Sequence, residues 1–123
     1  MNRAGQWTTI AISVAILIVT SILLVGETGA AQGKGNPESG KKLYLESCQS
    51  CHGPTGKGDS DMAAYLAPPP ANLAAKATQT KTDAQLRKTI LEGRPGTAMS
   101  SYDGAFEEAQ LADLLAYIRS LKP

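Results

Sequence analysis

Hydrophobic positions divide the chain into two regimes. From Ala4 to Gly26 no residue is charged, and Ile10 to Val25 is apolar but for Ser13, Thr20 and Ser21. After Glu27 the apolar residues thin out and recur at helical spacing. Gly40, Leu43, Tyr44 and Ser47 fall on one stripe with Lys41, Lys42 and Glu46 off it, which predicts an amphipathic helix running toward Cys48. Asn36-Pro37 starts that helix well, as a cap side chain followed by proline at the first helical position. Gly40 inside it lowers helix propensity by about 1 kcal/mol against alanine. Either a close crossing by another helix justifies the glycine or the first turn is frayed. Thr82-Asp83-Ala84-Gln85 is a capping box opening a second helix, with Leu86, Ile90 and Leu91 on its apolar face and Gly93 at its end. Leu111, Leu114, Leu115, Ile118 and Leu121 repeat along the longest helix, about 106–121. Asp61 to Leu66 makes a short turn of helix that Ala67-Pro68-Pro69-Pro70 stops. No stretch alternates long enough to be a strand, so the fold is all-α.

The first regime reads as a membrane-directed segment. Its twenty-three uncharged residues suffice for a hydrocarbon core of about 30 Å. Arg3 before it and Glu27 after it keep the N-terminus cytoplasmic and send the rest across. Small residues at Thr28 to Ala31 offer a signal cleavage site, which would yield a secreted periplasmic protein. Length and an interfacial Trp7 favour retention as an anchor. The expected organisation is an anchor or uncleaved signal over 1–26, a Gly-rich flexible linker over 27–36, and a domain over 37–123. The domain then lies on the periplasmic side of a single-pass protein.

Composition and charge narrow the classes. The chain has 123 residues, a formal net charge of +1 and 5% aromatic residues. That near balance gives no support for nucleic-acid binding. A domain of this size with a single Phe is short of large core groups, a shortage that a buried macrocycle would make good.

Cys48-Gln49-Ser50-Cys51-His52 supplies the reason for one. C-x-x-C-H is the attachment pattern of covalent haem, with thioethers from Cys48 and Cys51 and His52 as the proximal ligand. A dithiol redox pair would follow a strand, but here a helical pattern leads in. A zinc site wants further soft ligands, and these are the only cysteines and His52 the only histidine. The sixth ligand must then come from elsewhere. Met62 follows His52 too closely to be thrown across a ring, whereas Met99 sits in a loop shaped by Pro95 and Gly96 between two helices. Met99 is the expected distal ligand, and His/Met ligation raises the potential. With both axial positions filled, electron transfer is expected and catalysis is not. Gly53 to Asp59 does not match a phosphate-binding loop and is expected to bring backbone close to the haem. A carbonyl of the proline run either accepts the Nδ1 hydrogen of His52 or belongs to a connector that never meets it.

From about Pro37 to Pro123 the chain resembles the class I cytochrome c family of bacterial monohaem type. The match rests on the C-x-x-C-H, on Gly40 and Tyr44, and on Leu114 and Tyr117 in the closing Ala116-Tyr117-Ile118-Arg119-Ser120-Leu121. Pro68-Pro69-Pro70-Ala71-Asn72-Leu73 resembles the oxidase-subunit-like branch. The resemblance implies a crossing of the first and last helices, one haem c on Cys48, Cys51, His52 and Met99, and a one-electron role. It departs where Ser100, not proline, follows the methionine, with Tyr102 near the usual aromatic. The implied protein is a membrane-tethered carrier between a quinol-oxidising complex and a terminal oxidase or reductase. The second reading is a fixed haem subunit of a larger respiratory or photosynthetic complex. If the family geometry carries over, Lys57 and Arg94, with Lys81 and Lys88 nearby, frame the electron exit and steer an acidic partner.

Overall fold

A computed structural model describes residues 34–123. The expected N-terminal hydrophobic helix and most of the linker lie outside these residues. The described part contains five α-helices, here α1 (Pro37–Ser47), α2 (Gln49–His52), α3 (Lys76–Gln79), α4 (Asp83–Glu92) and α5 (Glu108–Ser120). One turn of 3-10 helix occupies Asp61–Tyr65, and there is no strand among the described residues. None of these helices is long and apolar enough to cross a membrane.

The caps form as their residue types dictate. Asn36 Oδ1 accepts from the Glu38 and Ser39 amides at 2.8 and 3.3 Å. Thr82 and Gln85 close their reciprocal box at the start of α4. The last helix is shorter than its periodicity predicts. Glu107 caps it in a box with Gln110, so Phe106 precedes the helix and stacks on Tyr102 instead. Helix α3 carries no apolar repeat to announce it. It follows a turn in which Asn72 Oδ1 takes the Ala74 and Ala75 amides and the Thr78 hydroxyl donates to the Asn72 carbonyl.

The core lies where α1 crosses α5. Gly40 settles between the two readings its position allowed: a Cβ there would come within 1.9 Å of the Asp113 carbonyl oxygen. The backbones touch, and only glycine permits it. One turn further, Tyr44 and Tyr117 pack with ring centroids 5.0 Å apart. Tyr44, Leu111 and Leu114 are fully buried, and Leu86 and Ile90 join them from α4. The Asn36 amide donates to Asp113 Oδ1 at 2.6 Å, so the last residue of the expected linker is already bound to α5. At the far end Arg119 donates to Asp83 Oδ1 and to the Gln79 and Lys81 carbonyls, which fixes the α3–α4 corner on α5.

Candidate haem site

Helix α1 ends at Ser47 and the chain restarts at once as α2, which carries Cys51 and His52 with Cys48 at its cap. These three residues line a cleft of about 1170 Å³, counting the space at its open mouth. Leu66, Pro68, Pro69 and Pro70 line it from the proline segment, Leu86 and Ile90 from α4, and Leu114 and Ile118 from α5. Met99 and Tyr102 line it from the loop between α4 and α5. The structure therefore brings Cys48, Cys51, His52 and Met99 into one cavity. Met62 is not among the lining residues; it is 50% exposed, with its sulfur 3.9 Å from Cys51 Sγ.

The His52 ring is held by one hydrogen bond. Nδ1 lies 3.0 Å from the Ala71 carbonyl oxygen, and since a carbonyl only accepts, Nδ1 is the donor. The neutral ring then keeps its lone pair on Nε2. The acceptor is the residue directly after the proline run, one position beyond the carbonyls the sequence offered for this task. Burial pushes the imidazole pKa below its usual range, and the Ala71 bond opposes this only in part. The neutral, ligand-competent form is therefore favoured.

The surroundings of Cys48 do not suit a reactive redox thiol. Burial, and after it the neighbouring Cys51, push the Cys48 thiol up to about 11. Reactive C-x-x-C dithiols need the opposite shift, toward the thiolate.

Two expectations change. None of residues 53–58 lines the cleft. That loop braces the outer side of His52 instead: the Gly58 amide donates to the His52 carbonyl at 2.8 Å, and the Leu73 amide to the Gly56 carbonyl at 2.6 Å. The basic residues also separate. Lys81 and Arg94 line the cleft, whereas Lys57 and Lys88 do not, and Lys88 pairs with Glu92 at 3.9 Å. The cleft wall thus carries two of the four basic residues.

Two thiols, an imidazole with its tautomer set and a thioether inside an apolar cleft form a donor set that fits haem c. The family model for cytochrome c matches residues 37–122. The dihydro-heme d1 dehydrogenase of Pseudomonas aeruginosa is 32% identical over 82% of this chain and 19% of its own length. The cbb3-type cytochrome c oxidase subunit FixP of Bradyrhizobium diazoefficiens is 34% identical over 67% of this chain and 26% of its own. This chain thus spans about a fifth to a quarter of these relatives. Among solved structures, the reducing HAO-like protein complex of Kuenenia stuttgartiensis matches at a TM-score of 0.63 and 31% identity, over 72% of this chain and 44% of that one. Family model, paired cysteines and cleft agree: the chain belongs to the cytochrome c family, as a class I domain with one covalently bound haem c.

Proposed function

We propose that Cys48 and Cys51 carry the two thioether links, that His52 Nε2 and the Met99 thioether are the axial ligands, and that the domain serves as a haem subunit of a larger membrane redox assembly. The observation that carries the ligand assignment is the convergence of all four side chains on one apolar cleft, with Nδ1 of His52 already engaged by Ala71. Bound haem c supplies a one-electron couple. The Ala71 carbonyl holds the His52 ring in the tautomer that presents Nε2. Leu86, Ile90, Leu114 and the prolines would pack apolar surface against the haem, and Met99 would hold it as a ligand in place of substrate.

Covalent attachment is tested by mass. Acid-acetone extraction of the parent should leave about 616 Da of haem on the polypeptide. Cys48→Ala or Cys51→Ala should each retain haem through the remaining thioether, and only the double variant should release it. Haem stripped from the parent would end the assignment.

The subunit role draws support from the relatives, two of which are an oxidase subunit and a member of a protein complex by name. Tethering rests on the uncharged run from Ala4 to Gly26, which lies outside the described residues. Together they support the reading of a single-pass protein of the cytoplasmic membrane with its haem domain in the periplasm. Membranes washed in high salt should keep the protein. Mild detergent should release it in a particle with other redox polypeptides, among them a quinol-oxidising or oxygen-reducing component. A lone haem protein in a micelle would return the reading to a tethered carrier. A mature N-terminus at Ala31 or Gln32 would make it a secreted one.

A further inference from the structure

The residue after Met99 is Ser100, so no proline stiffens the chain directly after the proposed ligand. The structure holds that loop in another way. The Arg94 amide donates to the Met99 carbonyl at 2.9 Å, and the Met99 amide to Thr97 Oγ1 at 3.2 Å. Two further bonds dock the loop on α4: Ser101 Oγ donates to the Leu91 carbonyl at 2.6 Å and the Tyr102 amide to the Ile90 carbonyl at 3.2 Å. None of these four reaches the helices that bear Cys48 and His52.

Tyr102 does. Its hydroxyl donates to the Ser47 carbonyl at 2.7 Å, fifty-five residues away in sequence. Among the described residues this is the only hydrogen bond between the 94–105 loop and residues 36–52. The acceptor is available for a local reason. Ser47 ends α1, where carbonyls lose their partners four residues on, and the Cys51 amide turns to the Cys48 carbonyl at 3.2 Å instead. The Tyr102 ring is half-buried, lines the cleft and stacks on Phe106 at a centroid distance of 5.5 Å and an interplanar angle of 15°.

We infer that Tyr102 is a positioning residue for the distal ligand: through Ser47 it locks the Met99 loop to the helix end that carries Cys48. The lock sets the distance between the loop that bears Met99 and the segment that bears His52. It supplies from the far side of the cleft the restraint that a proline at position 100 would have supplied within the loop. The inference rests on the ligand role proposed for Met99.

Imidazole, a small ligand that competes for the sixth position, is the probe. It is titrated into the ferric holoprotein and followed in the visible spectrum. Met99→Ala should bind it far more tightly than the parent, because no internal ligand is displaced. Tyr102→Phe removes one hydroxyl and keeps the stack on Phe106, so the fold is retained. It should bind imidazole about five- to tenfold more tightly than the parent, the effect of one net hydrogen bond no longer opposing release of the loop. Asn36→Ala is the comparator. It removes the α1 cap at the end remote from Ser47 and lowers global stability by a similar amount, and its imidazole affinity should equal the parent's. If Tyr102→Phe shifts no more than Asn36→Ala while Met99→Ala shifts strongly, the positioning role is overturned and the ligand assignment stands. If Met99→Ala also binds like the parent, the ligand assignment fails and the role of Tyr102 with it.

Discussion

Gly40→Ala is expected to destabilise the haem-loaded domain by about 3 kcal/mol, near the upper end for overpacked sites. Helix propensity alone points the other way, since alanine within a helix is favoured over glycine by about 1 kcal/mol. The crossing decides the sign. The added methyl would lie 1.9 Å from the Asp113 carbonyl oxygen and 2.4 Å from its carbon, both backbone atoms that no rotamer change can move. To accommodate it α1 must lift from α5, which loosens the contacts of Tyr44 with Tyr117, Leu111 and Leu114. Gly96→Ala is a useful comparator. Its φ of +76° penalises alanine, but nothing lies within 4 Å of the new methyl, so only the conformational term of about 1–2 kcal/mol applies. Denaturant unfolding of both variants, followed by far-UV circular dichroism, separates the two effects. A Gly40→Ala protein as stable as the parent would mean that the helices part at little cost.

The features legible in the sequence are those whose physics is local or periodic. Asn36, Thr82 and Gly93 mark helix ends through groups only a few residues away, and all three stand where the pattern put them. The apolar face of α5 follows from the 3.6-residue repeat, and the C-x-x-C-H from its own spacing. Gly40 was legible as a question, and the structure answers it with the crossing.

What escaped was decided by long-range packing. The hydrogen bond from His52 to Ala71 spans nineteen residues, and nothing in a proline run tells which carbonyl will face the ring. The Gly53 to Gly58 loop was expected against the haem because glycine lets backbone approach something closely, yet the partners it approaches are Asp59, Leu121 and Pro70. Helix α3 is one turn long and is shaped by the Asn72 turn and by Gln79, which donates to the Leu73 and Ile118 carbonyls. Tyr102 was visible as an aromatic near a methionine, but its partner Ser47 was not, since an orphan carbonyl leaves no mark in a side-chain pattern.

Met99→His should lower the midpoint potential by on the order of 0.2 V, a fraction of the roughly 0.8 V over which axial ligands set haem potentials. The sign follows from donor chemistry. A thioether is soft and uncharged and favours the ferrous state, whereas a second imidazole stabilises the ferric state. At 59 mV per decade for one electron, such a shift changes the equilibrium with a given partner by about three decades, enough to halt or reverse electron flow. The replacement suits the site, because Met99 is half-buried on a loop whose backbone bonds to Arg94 and Thr97 do not involve its side chain. Met62→His serves as the control. Met62 lies outside the cleft beside Cys51, so its substitution should leave the potential within a few tens of millivolts of the parent, on the same scale of ligand effects. Redox titration of the purified holoprotein followed in the visible spectrum reads both. A potential that falls in Met62→His and stays fixed in Met99→His would transfer the distal role to Met62. It would also require the Asp61–Tyr65 turn to swing from the flank of Cys51 into the cleft.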